Sequence, residues 1–254
     1  MYKVEKEGNN IIHIKQRFVF VRKIINTFLY PTFLYSKIIH NHPQPDKVIL
    51  KNNLLIKVLL KTFYFFPRYL HDTISWVEAS ENSYRNINDY KTLRIGIDDV
   101  FLEKLIEISK SNDEILDLGC GIGRHLYFLK KNGYTNLHGV DIMNSTKFNY
   151  FDLSGIKIHF SFLQAFLINN NKKYDIIYSV GAVIELIHPS FDVVKYMCRA
   201  SNKFICLLLQ PDMHYFPRFY IHEFRRNGFR LFYQQKNLNN SKLERIDMVF
   251  FRKI

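Results

Sequence analysis

Cysteine is scarce in this chain: three in 254 residues, Cys120, Cys198 and Cys206. They are too few and too scattered for a disulfide framework or a zinc site, and a reducing, cytoplasmic setting is expected. No secretory leader is visible at the start of the sequence, which agrees with that expectation. Long apolar runs are also missing. RFVFVRKIINTFLYPTFLY at 17–35 is broken by Arg22, Lys23 and Pro31, and LIKVLLKTFYFFPRYL at 55–70 by Lys57, Lys61 and Pro67. Neither reaches the ~20 apolar residues that span a bilayer. Clustered carboxylates that would hold a metal do not occur, so no metal is expected. The phosphate loop G-x-x-x-x-G-K-[ST] is absent too.

Positive charge is abundant instead. The net charge is +13, and residues 1–75 alone hold 12 Lys or Arg against four acids, a net of +8. A basic chain favours anionic partners. A composition rich in Ile, Asn, Lys, Phe and Tyr together is also what an AT-rich genome produces. Read as a helix, 49–66 places Lys57 and Lys61 opposite Leu55, Val58, Leu59, Phe63 and Phe66. Such a helix either lies against an anionic membrane surface or covers a neighbouring domain. Covering is the commoner outcome, and weak, peripheral membrane association at the inner face is the minority expectation. Residues 1–80 are therefore expected to form a basic, aromatic-rich, mainly helical extension, followed by a catalytic-type domain over 81–254.

From residue 98 the texture changes. DDVFLEKLIEISK repeats apolar residues at helical spacing, and short β-rich runs then alternate with helical ones. Strands are expected at 114–118, 136–141, 156–160, 174–180, 203–209, 229–235 and 245–251. Helices are expected near 123–132, 144–150, 163–168, 188–200 and 217–227. Alternation of this kind predicts an α/β fold, a seven-stranded, mostly parallel Rossmann-like sheet with helices on both faces. In such sheets a ligand sits at the carboxyl ends of the strands. The cluster Gly119, Gly121, Gly123 follows the first strand directly, where glycine either makes a tight turn or lets backbone approach a ligand.

Its spacing narrows the ligand. The dinucleotide fingerprint G-x-G-x-x-G fails by one residue, because its last position is Arg124. What fits is D-x-G-x-G-x-G, from Asp117 through Gly119, Cys120 and Gly121 to Gly123. It resembles the first motif of the class I methyltransferases that use S-adenosylmethionine. Asp141 ends the second strand, where an acid accepts from ribose hydroxyls or caps a following helix. YDIIYSVGAVIELIHP at 174–189 is similar to the family's fourth-strand motif through Asp175, Ser179 and the VIELI run with Glu185, and Ser179 and Val180 are candidate cofactor-binding residues there. The family's usual histidine falls on Leu186, and His188 lies two residues on. FYIHEFRRNGFRLF at 219–232 resembles the family's last helix and sixth strand.

The resemblance covers 98–254 and implies S-adenosyl-L-methionine as cofactor. It implies contacts from Asp117 to the ammonium group, from the glycine loop by backbone, and from Asp141 with its neighbour Ile142 to the ribose. Gln164 stands in for the adenine-binding acid that many members carry, and Arg94 is a candidate to close over the cofactor's carboxylate. A nicotinamide enzyme and a fold that binds no cofactor are the competing readings.

An oxygen acceptor must lose a proton, which calls for a base near neutral pKa. His188 and His214 lie in the loops that face the acceptor in this family, and either of them is the candidate base or a loop histidine with a structural part. The base-amine motif (N/D)-P-P-(Y/F) and the Pro-Cys pair of cytosine enzymes are both absent. A small-molecule or glycan-type acceptor is therefore expected ahead of nucleic acid. RNA methylation and a non-catalytic scaffold remain the alternatives. Nothing in the sequence speaks to the oligomeric state.

Overall fold

The computed structural model describes residues 97–141, 150–180, 184, 187, 191–210, 218–238 and 245–254. The extension expected over 1–80, with its amphipathic helix at 49–66, and residues 144–149 of the helix expected at 144–150 lie outside them.

Seven strands make one sheet: β1 (Ile115–Leu118), β2 (Leu137–Asp141), β3 (Lys157–Phe160), β4 (Tyr174–Ser179), β5 (Ser201–Leu209), β6 (Phe229–Gln235) and β7 (Asp247–Lys253). Their order is β3-β2-β1-β4-β5-β7-β6. β1 to β5 pair in parallel, while β7 runs antiparallel between β5 and β6. The helices are α1 (Ile97–Ile108), α2 (Arg124–Lys131), α3 (Leu163–Asn169), α4 (Val193–Ala200) and α5 (Tyr220–Arg226). This is the mostly parallel α/β sheet that the alternation predicts. The helix expected over 188–200 begins later, at Val193. Asp192 starts it by accepting from the Lys195 amide at 3.0 Å.

Side-chain alternation sends the central strands into two cores. Leu116, Leu118, Ile177, Leu207, Val249 and Phe251 face α3, α4 and α5. Ile115, Ile176, Tyr178, Cys206, Leu208 and Phe250 face α1 and α2. Strands buried on both faces read as continuous apolar runs, which is why ILDL and ICLLL are legible as central strands. α1 seats Phe101 against Phe250 at 5.4 Å and Tyr178 at 6.1 Å between ring centroids. On the opposite face Phe224 of α5 stacks on Phe251 at 4.0 Å. β3 and β6 are the edges, and both expose most of their side chains.

The strand order also locates a crevice. From β1 the chain runs outward through β2 to β3, then returns to the other side of β1 as β4. Ligands of open α/β sheets bind at the carboxyl ends of strands flanking such a reversal. No helix among the described residues is long and apolar enough to cross a membrane.

Candidate functional site

The loop after β1 lies at that reversal. Gly119, Gly121 and Gly123 take φ values of 83°, 54° and 79°, the left-handed region that side-chain-bearing residues disfavour. The loop is tied down by β2. The amides of Gly119 and Cys120 donate to the Val140 carbonyl at 2.9 and 3.1 Å, and the Gly121 amide donates to Asp141 Oδ2 at 2.8 Å. A fourth glycine lets it sit so low. A Cβ on Gly139 would stand 2.7 Å from Cys120 Sγ, 2.8 Å from Leu126 Cδ1 and 2.9 Å from Ile158 Cδ1. Loop, α2 and β3 therefore close on β2 where it has no side chain.

Beneath the loop lies Asp117, on β1 and 1 % exposed. Burial pushes its pKa up to about 8, which the nearby Tyr178 hydroxyl lowers in part and the Asp141 charge raises further. Tyr178 is the direct cross-strand neighbour of Asp117. Close as they are, the Tyr178 hydroxyl and Asp117 Oδ2 do not reach hydrogen-bond geometry, and both atoms are buried without a partner. Burial, with the charges of Asp117 and Asp141 adding to it, raises the Cys120 thiol well above its ordinary range. Cys120 is a packing residue, not a reactive one.

The other residues singled out in the sequence divide. Ser179 is buried and its hydroxyl donates to the Leu118 carbonyl at 2.9 Å, which fastens β4 to β1. Val180 follows it at the same sheet edge and is buried. Gln164 is buried in the first turn of α3, just beyond the end of β3. Arg94, Ile142, His188 and His214 lie outside the described residues. Among the described residues no cluster of three or more His, Cys, Asp or Glu is placed to hold a metal ion.

No family model and no curated protein matches the sequence. Solved structures do match. The N-methyltransferase NodS of Bradyrhizobium japonicum, in complex with S-adenosyl-L-homocysteine, aligns with a TM-score of 0.55 and 13% identity over 69% of this chain and 97% of that one. A TehB-like S-adenosylmethionine-dependent methyltransferase of Corynebacterium glutamicum aligns at 0.54 with 18% identity, over 70% and 99%. Magnesium protoporphyrin IX methyltransferase of Synechocystis with bound S-adenosylmethionine aligns at 0.50 with 12% identity, over 93% and 96%. The fold is that of the class I methyltransferases.

In this methyltransferase fold three further residues gather beside the glycine loop. Asp98 in the first turn of α1, 3 % exposed, accepts a hydrogen bond from Arg124 Nη2 and pairs with His125 Nε2 at 3.2 Å. His125 is buried and meets the Tyr178 ring edge-on, 6.4 Å between centroids. The sequence did not single out Asp98 or His125, and marked Arg124 only as the residue that breaks the dinucleotide fingerprint. Their separation along the chain hides the contact.

Proposed function

We propose that the protein is an S-adenosylmethionine-dependent methyltransferase. One observation carries the reading: Asp117 presents a buried, unpartnered carboxylate oxygen directly under a loop stripped of side chains. A buried carboxylate without a partner is unfavourable unless a cation or donor comes to it. The cofactor's ammonium group is such a partner, and the glycine backbone gives its amino-acid tail and nucleoside close approach. Asp141, whose Oδ2 already holds the Gly121 amide, offers its carboxylate to the ribose hydroxyls. Gln164 is the candidate for the adenine amino group, since its carbonyl accepts a hydrogen bond. The solved relatives supply support at the level of fold.

When bound, S-adenosylmethionine supplies an electrophilic methyl group on a sulfonium. The protein's share is then to hold the acceptor in line and to receive its proton. We assign that proton to His188 or His214, and the acceptor to a small-molecule or glycan-type hydroxyl.

Calorimetry with S-adenosylmethionine tests the reading. Micromolar binding is expected, and Asp141→Ala is expected to weaken it by ~1.5–3 kcal/mol, the range for a hydrogen bond to a charged group. Absence of binding by the wild type overturns it. Replacing His188 or His214 by Ala should leave cofactor affinity unchanged, and loss of turnover in one of the two identifies the base. Binding without turnover on any hydroxyl acceptor would mark a scaffold instead.

A further inference from the structure

Arg124 opens α2, and nothing within α2 accounts for a cation there. Gly123 before it provides no side-chain cap, and the first turn holds no acid. A positive charge at a helix N-terminus opposes the helix dipole. The compensation comes from another helix. Asp98 of α1 holds Arg124 Nη2 and His125 Nε2 on one carboxylate oxygen, while its Oδ1 is buried with no partner. Asp98 is buried while Arg124 stays partly exposed, and such a pair adds little stability, because desolvation of the carboxylate offsets an attraction that solvent weakens. Stability alone therefore does not explain the pair.

Its place in the fold does. α1 and α2 precede and follow β1, so the pair ties their first turns together beside the glycine loop. β2 holds the near side of that loop through the amides of Gly119, Cys120 and Gly121. The far end, at Gly123, continues straight into Arg124. Three residues without Cβ atoms and with positive φ leave this backbone freer than its surroundings, so its shape depends on what holds its ends. His125 extends the same contact to Tyr178, the neighbour of Asp117.

We propose that Arg124, anchored by Asp98, is a positioning residue that holds the glycine loop in the shape the cofactor meets. This rests on the loop being the S-adenosylmethionine site. Cofactor affinity then depends on the pair beyond whatever the pair does for stability.

The test uses the full chain, with S-adenosylmethionine as probe. Arg124→Met keeps the length of the side chain and removes its charge and donors. It should weaken binding roughly tenfold or more, as loss of a charged hydrogen bond does. In the cofactor-free protein the amides of 119–123 should exchange with solvent faster. Asp98→Asn should act alike, and the double variant should be no worse than the weaker single, because both remove one contact. Arg124→Lys, which keeps the charge, should recover part of the affinity. Equal binding by wild type and Arg124→Met overturns the proposal. So does an affinity loss that merely follows melting temperature, as a control variant Leu105→Ala in the α1 core would show. Failure of the wild type itself to bind overturns the cofactor reading, and this proposal with it.

Discussion

At Asp117 the local chemistry sets a sign that can be checked. Its folded pKa, raised by burial to about 8, lies above the unfolded value near 3.9, so between those limits the folded protein keeps a proton that the unfolded chain has lost. Stability contributed by this group is present at low pH and is lost as pH climbs toward 8, at most ~1.4 kcal/mol per pH unit. Asp117→Asn removes that slope. Chemical denaturation should show the variant matching or exceeding the wild type at pH 8 while binding the cofactor more weakly. Binding a cation to the carboxylate should also expel the proton. Calorimetry below pH 8 in buffers of different ionisation enthalpy should therefore show proton release in the wild type and none from this site in Asp117→Asn.

Elements meet most tightly at Gly139 on β2. Alanine there would place a methyl carbon 2.7 Å from Cys120 Sγ and under 3 Å from Leu126 and Ile158. All three neighbours are side chains, so they shift before the backbone does, and the overpacking should destabilise by about 1–3 kcal/mol. Since Cys120 belongs to the glycine loop, Gly139→Ala should weaken cofactor binding as well, measurable in the same titration. The strands themselves follow from local pattern. ILDL, the β4 segment YDIIYS and ICLLL read as buried strands because both their faces are covered. Helix ends were less legible. α4 starts at Val193 because the Asp192 carboxylate is in reach of the Lys195 amide, a choice among several polar residues that only the folded backbone makes.

For the whole molecule, a ligand that binds the folded state alone raises its melting temperature by mass action. At a hundredfold excess over the dissociation constant, S-adenosylmethionine should add ~2.7 kcal/mol, or about 5–10 °C for a chain of this size. Differential scanning fluorimetry reads this directly, and the shift should shrink in Asp117→Asn and Asp141→Ala.

Local information in the sequence was enough for the class of fold and for the positions of the seven strands. It was enough because those features follow from hydrophobic period and from glycines whose neighbours lie within a few residues. The same holds for Asp117 and Asp141, each placed by the strand it ends or occupies. Strand order was not legible, nor was the antiparallel insertion of β7 between β5 and β6, since pairing partners lie far apart in the chain. Ser179 illustrates the limit at one residue: the sequence places it in a strand motif, and only the fold sets its hydroxyl on the Leu118 carbonyl 61 residues away. Asp98 and Arg124, 26 residues apart, became neighbours only because α1 and α2 begin side by side. Period and turn chemistry act over a few residues; which distant side chains meet is decided by packing the helices onto the sheet.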